Sequence, residues 1–404
     1  MALVNPGTLM DATVATRAPK IDAAIDQALA DARIVGAVVL VARDGAIVYR
    51  RAAGLADRER GVPMREQAVF RLASLSKPLV TAAALRLVER GKIALSDPVT
   101  RYLPNFRPAL ANGETPTITL RHLLTHTAGL SYGFMQKPDG PYHRANVSDG
   151  LDQPGLAMTD ELDRLTGAGL AYRPGERWDY SLSMDVMGAV MEAVEGRDLE
   201  AVMAEHVSGP LKLTSIGFDL KPGQRELLVA AYADHKPAPL RIPDDGYRVH
   251  FPPGIPLYEG LAGIHLVPAR VFDPVSFRSS GAGMVGNASD MLTFIEALRT
   301  GGAPILPRDT AAAMMTVQTG NLPIPNRGPG WAFGFGAAIL TDPAAAQSPQ
   351  SPGTFGWGGV WGHTWFVDPA RRLSVVSLTN TALEGMMGRY TRDLRNAIYA
   401  DLTA

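Results

Sequence analysis

Strand-like segments lie near both ends of the 404-residue chain and are nearly absent from its middle. Near the N-terminus, two β-rich runs, 36–42 and 46–52, flank Asp44-Gly45, a dipeptide typical of tight hairpin turns. Near the C-terminus, four further strand-like runs follow one another: 332–340, 354–360, 364–367 and 373–379. The Gly and Asp turns between these late runs are too short for parallel crossovers, so the sequence predicts an antiparallel sheet.

Helical patterns and long Pro/Gly-rich loops fill the middle of the chain. Apolar periodicity and stop signals predict helices at 21–33, 183–194, 198–206, 288–298 and 389–402. Joining the two strand-rich ends into one sheet leaves the helical block as an insertion. We therefore predict an α/β fold of the α+β type, an antiparallel sheet flanked by helices with an inserted, mainly helical domain. The predicted divisions are 20–96 with 259–404 for the α/β domain, 97–258 for the helical domain, and 1–19 for a loose N-terminal segment.

The composition is that of an ordinary globular protein, with 46% hydrophobic and 20% charged residues. A net charge of −1 creates no field that attracts nucleic acid or an anionic membrane surface. Cysteine is absent, which excludes disulfides and thiolate metal sites. Neither a signal-peptide pattern nor an apolar run of membrane-spanning length is visible. We expect a cytoplasmic protein with no nucleic-acid or membrane partner; the sequence does not indicate its oligomeric state.

The segment 70–80 contains the strongest candidate for chemistry. Pro78 lacks an N–H group and is tolerated only in the first turn of a helix, so a helix begins close to Ser74. Residues three apart share a helix face, which allows Ser74 and Lys77 to touch. A hydroxyl with a base beside it, at the positive end of a helix dipole, has the arrangement of an activated nucleophile.

A structural interpretation of the same spacing competes with the catalytic one. A Ser-x-x-Lys spacing occurs by chance about once in a chain of this length, with Ser74 as a helix cap and Lys77 as a solvated charge. However, the chain has 7 lysines against 32 arginines, and this is its only Ser-x-x-Lys match. Arginine holds its proton too tightly to act as a base, whereas burial can lower the pKa of a lysine until it does. From this segment alone, both interpretations stay open.

Tyr180 and the glycine-rich segment 355–363 are the other two candidates. A cation near Tyr180, such as Lys77, would favour its phenolate; the alternative is a structural tyrosine packed beside Trp178. Glycines within a strand pattern indicate close approach of another backbone or a ligand, and the N–H of Val360 could serve as an oxyanion donor. The alternative there is a bulged strand with packed tryptophans.

Several other segments match known catalytic or binding motifs only incompletely. His122 and His126 have i,i+4 spacing but lack the glutamate of the helical zinc-protease motif, which favours a structural loop. Segment 146–150 lacks the first glycine of the Gly-x-Ser-x-Gly nucleophile elbow. No phosphate-binding glycine loop is present. We therefore predict neither a metal nor a cofactor.

Taken together and in this order, the three candidate segments resemble the serine β-lactamase and penicillin-binding-protein superfamily. Within it, the chain is most similar to family VIII carboxylesterases, which are themselves similar to class C β-lactamases. The resemblance covers residues 21–401 and includes 70–74 (Phe-Arg-Leu-Ala-Ser), 122–130 (His-Leu-Leu-Thr-His-Thr-Ala-Gly-Leu), 174–175 (Pro-Gly), 210–213 (Pro-Leu-Lys-Leu) and 357–360 (Trp-Gly-Gly-Val). It implies a β-lactamase-like fold.

The resemblance also implies roles for individual residues. Ser74 would be the nucleophile, Lys77 its base, and Tyr180 a partner base and later acid. The backbone N–H groups of Ser74 and Val360 would form the oxyanion hole. The candidates for substrate contact are Trp357, Gly358, Gly359, Leu182, Tyr132 and His363.

Two departures from the lactamase pattern define the expected activity. Leu182 stands where the Tyr-x-Asn pattern has asparagine, and Trp357 stands where Lys-Thr-Gly would begin. No lysine follows Lys236, so only an arginine such as Arg144 or Arg278 could replace the recognition lysine. We expect a serine carboxylesterase that hydrolyses short-chain esters through an acyl-enzyme, with Trp357 contributing apolar contact. The alternatives are a β-lactamase, D-amino peptidase or acyltransferase on the same site, and a non-catalytic penicillin-binding-like protein.

Overall fold

The computed structural model describes residues 10–11 and 18–402. Its strands are β1 (Met10–Asp11), β2 (Gly36–Arg43), β3 (Ala46–Asp57), β4 (Val62–Pro63), β5 (Phe70–Arg71), β6 (Tyr232–Ala233), β7 (Leu240–Arg241), β8 (Tyr247–Val249), β9 (Ile264–Leu266), β10 (Val285–Gly286), β11 (Trp331–Phe333), β12 (Ala338–Leu340), β13 (Phe355–Gly359), β14 (His363–Asp368), β15 (Leu373–Thr379) and β16 (Thr381–Ala382). Its α-helices are α1 (Pro19–Ala30), α2 (Ser76–Glu89), α3 (Leu120–Leu124), α4 (Pro141–Arg144), α5 (Met158–Ala168), α6 (Ser183–Glu195), α7 (Leu199–Met203), α8 (Ala288–Arg299), α9 (Arg308–Met314), α10 (Glu384–Met387) and α11 (Arg389–Leu402).

A nine-stranded sheet joins the two ends of the chain in the order β1-β3-β2-β15-β14-β13-β12-β11, with β4 paired to β3. The ladders from β3 to β11 are antiparallel, and the two-residue β1 pairs with β3 in parallel. The hairpin of β2 and β3 turns at Asp44-Gly45, where both residues have positive φ. The predicted combination of helices with an antiparallel sheet is confirmed.

The centre of the sheet is buried on both faces because the side chains of β2 alternate between two apolar cores. Val38 and Leu40 face the larger core, which includes α2 and α8, whereas Val39 and Val41 face a smaller core formed with α1 and α11. This alternation follows from the two-residue period of a strand. The result is a three-layer arrangement in which the sheet separates two sets of helices.

Several sequence-based expectations differ from the structure. The apolar run 332–340 is not one strand but the hairpin of β11 and β12, because the chain turns at 334–337. The helix predicted at 198–206 ends at Met203 and continues as a π-helical turn, Ala204–Ser208. The middle of the chain also contains short strands, β6, β7 and β8, where none was expected.

Other expectations agree closely with the structure. Helix α6 ends at Gly196, whose left-handed φ of 63° terminates the helix as its sequence signal predicts. Helix α11 has the bounds expected for it. The predicted loose segment 1–19 lies mostly outside the described residues. Its described part consists of strand β1 and residues 18–19, where α1 begins. Within the described ranges, no helix combines the length and apolar character needed to span a bilayer.

Candidate active site

Ser74 lies in a short 3-10 turn, Ala73–Leu75, directly before α2. Ala73 has a φ of +48°, a left-handed conformation that costs a non-glycine residue on the order of 1 kcal/mol or more. Pro78 is the third residue of α2, where its missing N–H breaks no helical hydrogen bond. The strained residue therefore sets Ser74 at the junction between the turn and the helix.

Two ionisable side chains contact the hydroxyl of Ser74. The Nζ of Lys77 donates to Ser74 Oγ over 3.2 Å, and the hydroxyl of Tyr180 lies 2.6 Å from the same oxygen. Lys77 is fully buried, and its other donors reach the hydroxyl of Tyr132 at 3.0 Å and the carbonyl of Gly281 at 2.8 Å. All three N–H bonds of an ammonium group are thus matched to acceptors. The Ser-x-x-Lys pair and the distant tyrosine are brought together.

Trp357 also belongs to this hydrogen-bonded group. Its indole Nε1 donates to the hydroxyl of Tyr180 over 3.2 Å, and both side chains are buried. The Tyr180 oxygen therefore joins the indole on β13 to Ser74 on the other side. A donor that points at this oxygen stabilises negative charge on it.

Gly359 allows β13 to approach the turn that contains Ser74. A Cβ atom at Gly359 would lie 2.6 Å from the carbonyl oxygen of Leu72, a contact that only glycine avoids. Val360 follows immediately, at the end of the strand. Outside the helices and strands of the described residues, no backbone carbonyl accepts a hydrogen bond from the N–H of Val360. A free backbone donor beside a nucleophile is what an oxyanion hole requires.

Asp185 is a buried carboxyl group close enough to Lys77 to feel its charge. It accepts hydrogen bonds from the hydroxyl of Ser279 at 2.6 Å and from the N–H of Gly281 at 3.4 Å. Burial raises the pKa of Asp185, while the Ser279 bond and the charge of Lys77 act in the opposite direction. Because the carbonyl of Gly281 accepts a hydrogen bond from Lys77, Gly281 links the Asp185 carboxyl group to the lysine.

A cleft of about 790 Å³ opens above Ser74. Asp149 and Arg327 are the charged residues that line it within the described ranges. Asp149 accepts from the N–H groups of Gly133 and Phe134, and burial together with Asp152 raises its pKa to about 8. Most of the remaining wall is aromatic or thioether: Tyr132, Phe134, Tyr180, Phe251, Tyr258, Trp357, Met135, Met386 and Met387.

Of the predicted substrate contacts, Tyr132, Trp357 and Gly358 line this cleft. Tyr132 does so while its hydroxyl holds Lys77, and burial raises the pKa of this phenol well above its ordinary value. Gly359 does not line the cleft; its place is against the backbone that precedes Ser74.

Two further predicted contacts do not line the cleft. His363 is buried, and its Nε2 is bonded to the carbonyl of Arg71 at 2.8 Å instead of facing the cleft. Burial lowers the pKa of His363 to about 4, so it is neutral. Leu182 is fully buried at the start of α6, where its N–H donates to the carbonyl of Ser131, and it does not line the cleft.

The arginines considered as replacements for the missing lysine lie elsewhere. Arg144 contacts the carbonyl of Asp139, and Arg278 pairs with Asp219 at 2.7 Å. The arginine that lines the cleft is Arg327, which the sequence analysis did not identify. It lies in a loop before β11, where the sequence carries no motif that separates it from a solvated arginine.

The two histidines set aside as metal ligands have structural roles. His122 completes a capping box with Thr119 at the start of α3, and His126 is buried against the hydroxyl of Ser181 at 3.1 Å. Within the part of the chain that the structure describes, one group of three side chains has ligand spacing: Glu195, Glu205 and His206. Its two carboxylates are paired with neighbouring lysine and arginine side chains.

Comparison with known proteins shows the family of the chain. The sequence profile of the family described as Beta-lactamase matches residues 21–400. The chain belongs to the Beta-lactamase family. It is 48% identical over 393 residues to Esterase EstB of Burkholderia gladioli, covering 97% of this chain and 98% of that protein. It is also 32% identical over 248 residues to the Monacolin J acid methylbutanoyltransferase of Aspergillus terreus, covering 56% of this chain and 58% of that protein.

A solved structure extends the likeness to the fold. The structure described as "EstCE1, a hydrolase with promiscuous acyltransferase activity" superimposes with a TM-score of 0.88 at 45% identity, covering 94% of this chain and 97% of that one. The family VIII resemblance and the β-lactamase-like fold are confirmed. The protein is a serine hydrolase of the carboxylesterase class.

Proposed function

We propose that the enzyme hydrolyses small, short-chain carboxylic esters through an acyl-enzyme formed on Ser74. The observation that carries this proposal is the double contact on Ser74 Oγ, from Lys77 at 3.2 Å and from Tyr180 at 2.6 Å, beneath an aromatic cleft. A nucleophile with a proton-accepting group in hydrogen-bond reach is the arrangement that covalent catalysis needs. A binding protein has no use for all three groups.

In the acylation step, Ser74 Oγ attacks the ester carbonyl carbon and its proton passes to the Lys77–Tyr180 pair. The Nζ of Lys77 lies 4.6 Å from the centre of the Tyr180 ring, and the Trp357 indole donates to the Tyr180 oxygen over 3.2 Å, so both groups stabilise negative charge that develops on this oxygen. The carbonyl oxygen becomes an oxyanion, which the N–H groups of Ser74 and Val360 stabilise. Collapse of the tetrahedral intermediate breaks the ester C–O bond, and Tyr180 returns the proton to the departing alkoxide.

Deacylation repeats the same steps with water. Tyr180 accepts a proton from the attacking water, the same two N–H groups hold the second oxyanion, and Ser74 leaves as its alkoxide and recovers a proton. Each proton taken from a nucleophile is given to a leaving group. The Lys77–Tyr180 pair therefore ends the cycle in its starting state.

The cleft favours neutral substrates. Trp357 presents an indole at the position where a lactamase-type lysine would hold a carboxylate, and Phe134, Phe251 and Tyr258 continue the apolar wall. Arg327 is the one cation on the described wall, so an anionic β-lactam that lost its water at Trp357 without reaching Arg327 would lose several kcal/mol of binding. A neutral ester has no such loss, and its acyl or alcohol part can lie against the rings.

Acyl transfer to an alcohol is the second candidate activity. EstCE1 is described as a hydrolase with promiscuous acyltransferase activity, and the cleft beside Ser74 is lined by aromatic rings against which an alcohol acceptor can pack. The acyl-enzyme would then pass its acyl group to the alcohol oxygen instead of to water. Product analysis with a vinyl ester and increasing amounts of a primary alcohol measures the ratio of transfer to hydrolysis.

Substitution and covalent labelling test the assignment of Ser74. Ser74→Ala should abolish hydrolysis of nitrophenyl butyrate while the unfolding temperature changes little, and a fluorophosphonate should label Ser74 in the wild type at one equivalent. Ser96→Ala, which removes an exposed serine, should keep both properties. Full activity in Ser74→Ala would overturn the proposal. So would labelling of Ser148, which is buried and donates to Asp152 at 2.6 Å.

A further inference from the structure

A second pocket, of about 520 Å³, lies between the sheet and α11 and is separate from the cleft above Ser74. Strands β13 and β14 contribute its floor through Gly356 and Thr364, and α11 contributes Arg395. Arg327 lines both this pocket and the catalytic cleft. Two guanidinium groups therefore share one enclosed space, and none of the described aspartates or glutamates lines it.

Arg327 is held in place without a counter-ion. Its guanidinium carbon lies 5.0 Å from the ring centroid of Trp331 and 4.9 Å from that of Trp357, so two indoles fix its plane. Its one hydrogen bond among the described residues is a long one, 3.4 Å to the carbonyl of Gly356. Most of its five N–H donors remain available.

Arg395 is likewise unpaired. Its Nε is buried without a hydrogen-bond partner among the described residues, whereas Arg389 on the same helix pairs with Asp393 at 3.2 Å. Burial lowers the pKa of Arg327 to about 10, and the charge of Arg395 acts in the same direction. Two like charges that line one pocket, both partly removed from water, are unfavourable unless an anion joins them.

We propose that Arg327 and Arg395 form a binding site for a small oxyanion in this second pocket. A carboxylate or phosphate group presents oxygens that match two planar guanidinium forks, and the hydroxyl of Thr364 lines the same space. The pocket volume admits a group of this size. The site is distinct from the oxyanion hole at Ser74, since that one consists of backbone donors.

Titration calorimetry with inorganic phosphate tests the site directly. The wild type should bind one phosphate with a Kd of about 1 mM or tighter in a chloride buffer of matched ionic strength. Arg395→Gln should weaken binding by at least about tenfold, and Arg395→Lys should give an intermediate value because it keeps the charge but loses the fork. Arg392→Gln removes an exposed arginine of the same helix that does not line the pocket, and should change the Kd by less than about twofold.

Three results would overturn the proposal. The first is an absence of binding by the wild type above the chloride background. The second is an equal weakening in Arg392→Gln, which would show a general effect of surface charge. The third is an unchanged Kd in Arg395→Gln. The wild-type titration decides the question even if a variant fails to fold, and it needs no ester hydrolysis, so its failure leaves the proposed function untouched.

The oxyanion could be a free ion or the carboxylate of an ester that reaches past Arg327, and steady-state kinetics separates these sources. This comparison rests on the proposed function. If the occupant is the substrate's own carboxylate, Arg395→Gln raises the KM for nitrophenyl hemiglutarate but not for nitrophenyl butyrate, and phosphate competes with the anionic ester alone. If the occupant is a free ion, phosphate binds without competing with either ester.

Discussion

The hydrogen bond between Trp357 and Tyr180 leads to a specific prediction about kcat. Trp357→Phe keeps an aromatic ring against Tyr180, Phe333 and Arg327 but removes the N–H that donates to the Tyr180 hydroxyl over 3.2 Å. If Tyr180 carries negative charge when it takes the proton of Ser74, the lost bond is a charge-assisted one, worth about 1.5–3 kcal/mol. We therefore expect kcat for nitrophenyl butyrate to fall by about 10- to 150-fold, with KM changed by less than about threefold.

Trp357→Ala separates this donor from the contact that the ring provides. It removes both, so its KM should rise in addition to the loss of kcat seen in Trp357→Phe. The sequence predicts a contribution from contact alone, and Trp357→Phe isolates the part of the effect that contact does not explain.

Trp365→Phe is the matched control. Trp365 lies opposite Trp357 on the neighbouring strand β14, is equally inaccessible, and its indole N–H has no acceptor among the described residues. Its substitution should leave kcat and KM within about twofold, since it removes an indole N–H of the same kind without a bond to the site. A wild-type kcat in Trp357→Phe, or an equal loss in Trp365→Phe, would refute the proposed role of the indole.

Three further predictions concern the proton pair, the substrate class and the pH dependence of stability. Lys77→Arg and Tyr180→Phe should each lower kcat by at least about 10²-fold, and the double variant only slightly more, because members of one catalytic unit are not additive; additive losses in the mutant cycle would show separate action. The kcat/KM for a chromogenic cephalosporin should lie at least about 10³-fold below that for nitrophenyl butyrate, and comparable values would contradict the apolar-cleft argument. Burial raises the pKa of Glu161 to about 8. Between about pH 4 and pH 8 the folded protein therefore binds a proton at Glu161 that the unfolded chain lacks, so the free energy of unfolding falls as pH rises. Urea unfolding at pH 5 and pH 8 should show a smaller fall in Glu161→Gln than in the wild type, and an equal fall would contradict the shifted pKa.

Local signals predicted the elements that depend on neighbouring residues. The turn at Asp44-Gly45, the end of α6 at Gly196 and the meeting of Ser74 with Lys77 are all decided within a few residues, so the sequence predicts them well. The hairpin inside 332–340 was missed because its turn lies within an apolar run, where strand periodicity continues on both sides.

Side-chain direction in the site depends on pairing between distant strands, which the sequence does not specify. His363 was expected to face substrate, but its pairing with Gly359 in the β13–β14 ladder places its ring against Arg71. The Trp357–Tyr180 bond joins residues 177 positions apart. Arg327 carries no local signal at all, since only the folded loop places it between the two pockets.

The pairing of β2 with β15 constrains how the chain can acquire its structure during synthesis. Val38 lies opposite Leu378, so the central ladder of the sheet closes only after nearly the whole chain has been made. At about 5–20 residues per second, the early hairpin waits for roughly 20–70 s with apolar side chains on both faces and one unpaired edge. Such an edge is a template for association with other chains, so we expect the N-terminal hairpin to be prone to aggregation until β15 emerges. Chains that end before residue 373 should therefore aggregate instead of forming a smaller soluble domain.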